Sequence, residues 1–136
     1  MNSCTEDTVN TVSSELTKTY DASVPIGWNE LLVEIDRYSP GYRPPAAARL
    51  MAYTGLAVYE SVVPGMPEYF SLENSYAGLN LPAIEEDKEY YWPACANAAY
   101  ATMFRHFYPH IVQNDKDKID KLEKSFNDKF SYKTSD

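Results

Sequence analysis

Residues 40–62 read PGYRPPAAARLMAYTGLAVYESV, and this stretch decides the fold class. Proline suits the first turn of a helix, where its missing N–H costs nothing, so Pro44 and Pro45 mark a helix start. The residues that follow are mostly small or apolar and show no strand-like alternation. The stretch therefore predicts a helix over residues 44–63 that a neighbouring backbone can approach closely, ended by the PGMP sequence of residues 64–67.

Three further helices are predicted on either side of this stretch. The first, over residues 26–38, has apolar residues at the spacing of one buried helix face. They are Trp28, Leu31, Leu32 and Ile35. A second run of small residues predicts a helix over 91–108, and a narrow apolar stripe on a charged cylinder predicts one over 115–130. The predicted fold is all-α, with about four helices and a long ordered loop over residues 64–90.

Composition limits the classes of protein and partner. The chain has 136 residues, and its twelve tyrosines and 44% hydrophobic residues are typical of one folded domain. The net charge of −8, without a basic stripe, excludes nucleic acid as a partner. Residues 1–24 are polar and lack periodicity, which predicts an N-terminal tether ahead of a helical domain over residues 25–136.

The first four residues resemble the end of a bacterial lipoprotein signal. In Met1-Asn2-Ser3-Cys4 a small residue precedes a cysteine, and a polar tether follows. This interpretation predicts lipidation of Cys4 and export to the periplasm or the outer membrane, with the lipid anchor as the only membrane contact. The apolar segment that precedes the cysteine in such signals is missing, so an incidental cysteine is the alternative.

Two histidines and one cysteine are candidates for chemistry. His106 and His110 are four residues apart, which on one helix face would suit a metal ion, but Pro109 interrupts that geometry. The alternative is an ordinary pair at a helix end, where a cation complements the helix dipole. Cys95 lies in a run of alanines, which favours a small core residue over a reactive thiol.

Arginines and aromatic residues are the remaining candidates. Arg43 or Arg49 could bind an oxyanion, but pairing with a carboxylate is favoured because buried charges are usually paired. The carboxylates considered are Glu30, Glu34, Asp36 and Glu60. The aromatic residues at 90–92 could stack on a ligand, or they could position the start of the third helix on the core.

Three segments, in this order, resemble a known superfamily. They are residues 40–62, residues 64–67 and the sequence YWPACANAAY of residues 91–100. Together they resemble the N-terminal helices of exported Bacteroidetes proteins of the vanadium-dependent haloperoxidase and type 2 phosphatidic acid phosphatase superfamily, over residues 26–130. The resemblance implies an all-α fold that is part of a larger helical bundle, with phosphate or vanadate bound between helices in complete members.

The catalytic motifs of that superfamily are missing from this chain. Its site uses a lysine seven positions before an Arg-Pro, a Ser-Gly-His segment and a Ser-Arg. The only Arg-Pro here is Arg43-Pro44, Asp36 stands at the lysine position, and the other two segments do not occur. We therefore predict no catalytic, cofactor-binding or metal residues and no phosphatase or haloperoxidase activity for the chain alone.

Two hypotheses follow. In the first, the chain is the N-terminal scaffold of such an enzyme, completed by a C-terminal catalytic portion, and residues 134–136 would cap the next helix rather than end in a frayed tail. In the second, it is an autonomous, non-catalytic helical module for binding or oligomerisation at the cell surface. We also predict that the two helices rich in small residues leave apolar surface uncovered without later helices, so that the isolated chain self-associates, most simply as a two-fold dimer. A strictly monomeric chain would favour the second hypothesis.

Overall fold

The computed structural model describes residues 14–41, 44–85 and 87–133. Within these residues there are four α-helices and three short 3-10 turns, and no strand. The helices are α1 (Ser23–Tyr38), α2 (Pro44–Val62), α3 (Trp92–Phe107) and α4 (Gln113–Lys133). The all-α prediction is confirmed, and each helix lies within three residues of its predicted bounds.

The first helix begins three residues earlier than predicted. Its first residue is Ser23, inside the segment predicted to be a tether, and the Ser23 N–H donates a hydrogen bond of 2.9 Å to Asp21 Oδ1. This bond satisfies a backbone donor that the start of the helix would otherwise leave unpaired. The long loop contains a 3-10 turn at Glu73–Ser75.

The core lies among α1, α3 and α4, which contact one another, while α2 packs mainly on α3. Trp28 of α1 is fully buried and forms the centre of this core. Its ring is parallel to that of Tyr100, with centroids 5.8 Å apart, and meets Phe104 edge-on at 5.0 Å. Stacked and edge-on pairs are the favoured aromatic arrangements, so the first and third helices are held in a defined register.

Asn97 connects three helices from inside the core. It is fully buried on α3, and its Oδ1 accepts a hydrogen bond of 2.8 Å from the Trp28 indole N–H of α1. Its Nδ2 donates to the Glu123 carbonyl and to Asn127 Oδ1 of α4, at 3.1 and 3.0 Å. The Asn97 side chain thus forms hydrogen bonds to both α1 and α4. It pairs the buried indole N–H of Trp28 and holds the three helices in their relative positions.

Helix α2 packs extensively on α3 but leaves one of its sides uncovered. Only three of its residues are buried, namely Leu50, Thr54 and Glu60. Four small or apolar residues, at the i, i+3, i+4 and i+7 spacing of one helix side, are exposed, and we call this set the α2 face. The α2 face consists of Ala48, Met51, Ala52 and Gly55. The expected uncovered surface is therefore found on α2, whereas α3 lies at the centre of the fold with six buried residues.

Candidate functional site

Several predicted residues lie outside the part of the chain that the structure describes. They are Cys4, Arg43 and the three residues at 134–136. Their predicted roles in lipidation, anion binding or ion pairing, and helix capping therefore stay predictions.

The two candidate metal ligands are both exposed at the end of α3. His106 lies in the last turn, where its ring meets Phe107 edge-on at 5.1 Å, and His110 follows after the helix has ended. Among the residues that the structure describes, no three His, Cys, Asp or Glu side chains are grouped so that they could hold a metal ion. The positions agree with an ordinary pair of histidines at a helix end.

The predicted carboxylate partner of Arg49 is not found among the described residues. Its guanidinium lies 5.4 Å from the centroid of the Tyr53 ring, on the exposed side of α2. Of the four carboxylates considered, Glu34 forms an ion pair with Lys118 at 2.7 Å instead. The prediction of an ion pair for Arg49 is wrong, because stacking on Tyr53 at an exposed site leaves the cation hydrated and needs no counter-ion.

Glu60 is buried, as its position on an apolar helix suggested, but its partners belong to the long loop. Its carboxylate accepts hydrogen bonds from Ser71 Oγ at 2.8 Å and from the Leu72 N–H at 2.7 Å. No Lys or Arg within residues 14–41, 44–85 and 87–133 forms an ion pair with it. Glu60 therefore anchors the loop to α2 while its negative charge has no positive partner in the described structure.

The aromatic residues ahead of α3 position the start of that helix. Tyr90 stacks on Trp92 with centroids 5.5 Å apart and 8° between the ring planes. Tyr91 meets the ring of Phe130 edge-on at 5.1 Å, so it packs against α4. Trp92 is 3% exposed, so almost all of its ring is covered by the protein. Of the two predicted roles, these aromatic residues therefore have the structural one, which is to position the start of α3 on the core.

Part of the predicted tether is fixed to the helical body. We call residues 14–20 the N-terminal strap. The Trp92 indole N–H donates to the Glu15 carbonyl at 2.7 Å, and the Tyr90 N–H donates to Ser14 Oγ at 2.7 Å. Thr17 Oγ1 donates to the Val62 carbonyl at 2.9 Å, at the end of α2. Specific hydrogen bonds therefore hold these residues, which belong to the predicted tether, across the junction of α2 and α3.

A cavity of about 520 Å³ lies between the end of α2, the long loop and the start of α3. We call it the loop cavity. Its wall is mainly apolar and includes Ala57, Leu81, Ile84 and Trp92. The polar part of the wall contains the carboxylates of Glu60 and Glu73 and the thiol of Cys95. Ligand sites usually have volumes of roughly 300–1,000 Å³, an apolar lining and a few convergent polar groups, so this is the candidate site.

The polar groups of the loop cavity differ in how they are held. Glu73 Oε1 accepts a hydrogen bond of 2.9 Å from the Leu81 N–H, which folds the far end of the loop over the cavity. Burial raises the pKa of the Cys95 thiol, which keeps it protonated and weakens it as a nucleophile. This agrees with the prediction that Cys95 is not a reactive thiol, although it lines a cavity and is only half-buried.

Sequence reasoning missed the loop cavity because its walls come from segments far apart in the chain. The one available signal was Glu60, an isolated carboxylate on a helix otherwise made of small and apolar residues.

Comparison of the chain with protein-family models, with curated proteins and with solved structures finds no match in any of the three. Within the described residues, no helix is both long enough and apolar enough to cross a membrane.

Proposed function

We propose that this chain is a helical scaffold whose α2 face packs against further protein. The observation that supports the proposal is that the most apolar helix is not the most buried one. Helix α2 is the most apolar of the four helices, yet it buries the fewest residues of the three apolar ones. A helix that is apolar around most of its circumference is normally covered on several sides, and α2 is covered mainly by α3.

The chemistry of the α2 face suits a helix as its partner. The two alanines and Gly55 allow a second backbone to approach closely, and no described heavy atom lies within 4 Å of the position that a Cβ on Gly55 would take. Met51, which is 50% exposed, supplies a flexible apolar side chain beside them. The face carries no charge that a partner would have to neutralise, so its burial contributes favourably to association.

Two occupants are considered for this face. In the favoured proposal the chain is the N-terminal scaffold of a haloperoxidase- or phosphatase-like exported protein, and the helices that carry its phosphate or vanadate site cover α2. The segments at residues 40–62, 64–67 and 91–100 support it. In the alternative proposal the chain is an autonomous oligomerisation module, and a second copy covers α2 in a two-fold dimer.

We expect the purified chain to self-associate at micromolar concentrations, because the α2 face is then covered by a second copy. The change Ala52→Glu should weaken this association about tenfold or more, since it places an unpaired charge in the contact. Static light scattering over a concentration series measures the effect. Asn29→Glu is the matched control, because Asn29 is exposed on α1 and the substitution adds the same charge.

A wild-type chain that stays monomeric throughout the series would contradict self-association through the α2 face. The same would follow if Asn29→Glu weakened association as much as Ala52→Glu. The reading frame after the codon for Asp136 separates the two occupants. A frame that continues into Ser-Gly-His and Ser-Arg segments would supply the covering helices of the first proposal, whereas a stop codon followed by an unrelated gene would contradict it.

We also propose that the chain is exported and anchored to a membrane by a lipid on Cys4. The support is the Met1-Asn2-Ser3-Cys4 sequence and the polar residues that follow it. Mass spectrometry of the N-terminus of protein isolated from its native cell is expected to show a mature chain that begins at lipidated Cys4. An unmodified Met1 at the N-terminus would contradict this proposal.

A further inference from the structure

The buried carboxyl group of Glu60 lacks a cationic partner among the described residues. Glu60 is 8% exposed, and its only hydrogen-bond donors among the described residues are Ser71 Oγ and the Leu72 N–H. Both donors are neutral, whereas a buried carboxylate is usually paired with a cation. A carboxylate can accept about four hydrogen bonds, so two neutral donors leave capacity for a third and a fourth. The loop cavity lies next to this carboxylate, which is part of its wall.

The walls of the loop cavity define what could supply the missing cation. Glu73 adds a second carboxylate, and none of the described residues that line the cavity is Lys, Arg or His. Trp92, Leu81 and Ile84 make most of the remaining wall apolar. A molecule that fits has one positive end and an apolar body, because two carboxylates repel an anion and an uncharged molecule leaves Glu60 unpaired.

We propose that the loop cavity binds a small protonated amine with an apolar body, and that its ammonium group pairs with Glu60. The volume of about 520 Å³ falls in the usual range for small-molecule sites, whereas a metal ion would leave most of it empty. Glu73, the second carboxylate of the wall, adds to this attraction. The proposal is independent of the α2 face, since none of the four residues of that face lines the cavity.

The test compares three molecules that share one apolar body and differ in charge. They are phenethylammonium, 2-phenylethanol and phenylacetate. Binding is followed by the NMR signal of the Trp92 indole N–H, which is identified as the indole signal lost in a Trp92→Phe variant. We expect phenethylammonium to shift this signal and to bind about tenfold more tightly than 2-phenylethanol, with phenylacetate weaker still.

Cys95 provides a second, local measurement. The chain has two cysteines, so a Cys4→Ser variant keeps Cys95 as the only thiol. Because Cys95 lines the loop cavity, phenethylammonium at saturation should slow its modification by N-ethylmaleimide several-fold. An unchanged rate at saturation would show that the amine binds elsewhere and would overturn the proposal.

The decisive variant is Glu60→Gln. The glutamine oxygen can still accept from the Leu72 N–H, and its NH₂ can donate to Ser71 Oγ, so the loop anchor is kept while the charge is lost. We expect about tenfold weaker binding of phenethylammonium and unchanged binding of 2-phenylethanol. Glu73→Gln should weaken the amine in the same direction and to a smaller extent, and it gives a second test should Glu60→Gln disturb the fold.

Glu30→Gln is the matched control, because Glu30 is exposed on α1 and the substitution removes the same charge. It should leave the affinity for phenethylammonium unchanged. The proposal is overturned if the amine and the alcohol bind equally, if none of the three molecules shifts the Trp92 signal, or if Glu30→Gln weakens amine binding as much as Glu60→Gln and Glu73→Gln do.

Discussion

Replacing Asn97 with alanine is expected to lower the free energy of unfolding by about 3 kcal/mol, the largest effect of any single polar substitution that we predict here. Trp28 is fully buried, so its indole N–H has no access to water once the Asn97 oxygen is removed. An orphaned buried donor costs about 1–3 kcal/mol. The Glu123 carbonyl of α4 loses its donor from α3 in the same step, and a small void adds to the loss.

The control for this prediction is Asn127→Ala. Asn127 is exposed on α4, so water can replace the hydrogen bond that it accepts from Asn97, and a change below about 1 kcal/mol is expected. Urea unfolding followed by far-UV circular dichroism measures both variants, at protein concentrations low enough for the chain to be monomeric. Equal losses for the two variants would contradict the assignment of Asn97 as the polar connection among three helices.

Replacing Gly65 with alanine should lower the free energy of unfolding by about 2–3 kcal/mol, because the site has no room for a methyl group. A Cβ added at Gly65 would lie 2.5 Å from Thr17 Oγ1 and closer still to the indole nitrogen of Trp92. Neither side chain can yield freely. Thr17 donates to the Val62 carbonyl and the Trp92 indole donates to the Glu15 carbonyl, so relieving the clash strains both bonds of the N-terminal strap.

The substitution Gly55→Ala should instead raise the free energy of unfolding. Gly55 lies inside α2 with open space around it, and alanine is favoured over glycine in a helix by about 0.5–1 kcal/mol. The variant should therefore unfold at a higher urea concentration than the wild type, whereas Gly65→Ala should unfold at a lower one. Destabilisation by both substitutions, or by neither, would contradict this account of the two glycines.

The helices could be predicted from the sequence because the residues that each helix buries recur at the helical spacing within that helix itself. All four residues proposed as the α1 stripe, which include Trp28 and Ile35, are buried. In the α4 stripe, Ile119 and Phe126 are buried, while Leu122 and Phe130 pack at its margin. In both helices, the spacing of apolar residues in the sequence was sufficient to identify the face that packs on α3.

The candidate site could not be predicted in the same way. The donors to Glu60 come from Ser71 and Leu72, which lie in a segment without periodicity. The strap contacts α3 through the hydrogen bond from the Trp92 indole to the Glu15 carbonyl. Such bonds depend on where the loop lies after the helices have packed. Burial of Glu60 could be inferred from its apolar neighbours, but its partners could not, because they are groups of the loop and not the arginine considered, Arg49.

The packing of α1 on α3 and α4, rather than on its neighbour α2, has a consequence for synthesis on the ribosome. The apolar stripe around Trp28 leaves the exit tunnel before α2, but the helices that bury it are made only after α2 and the long loop. At roughly 5–20 residues per second the stripe stays exposed for several seconds, during which a nascent chain is prone to aggregate. We expect a chaperone that recognises exposed apolar segments to bind nascent chains that end before α3 and to release those that extend past α4.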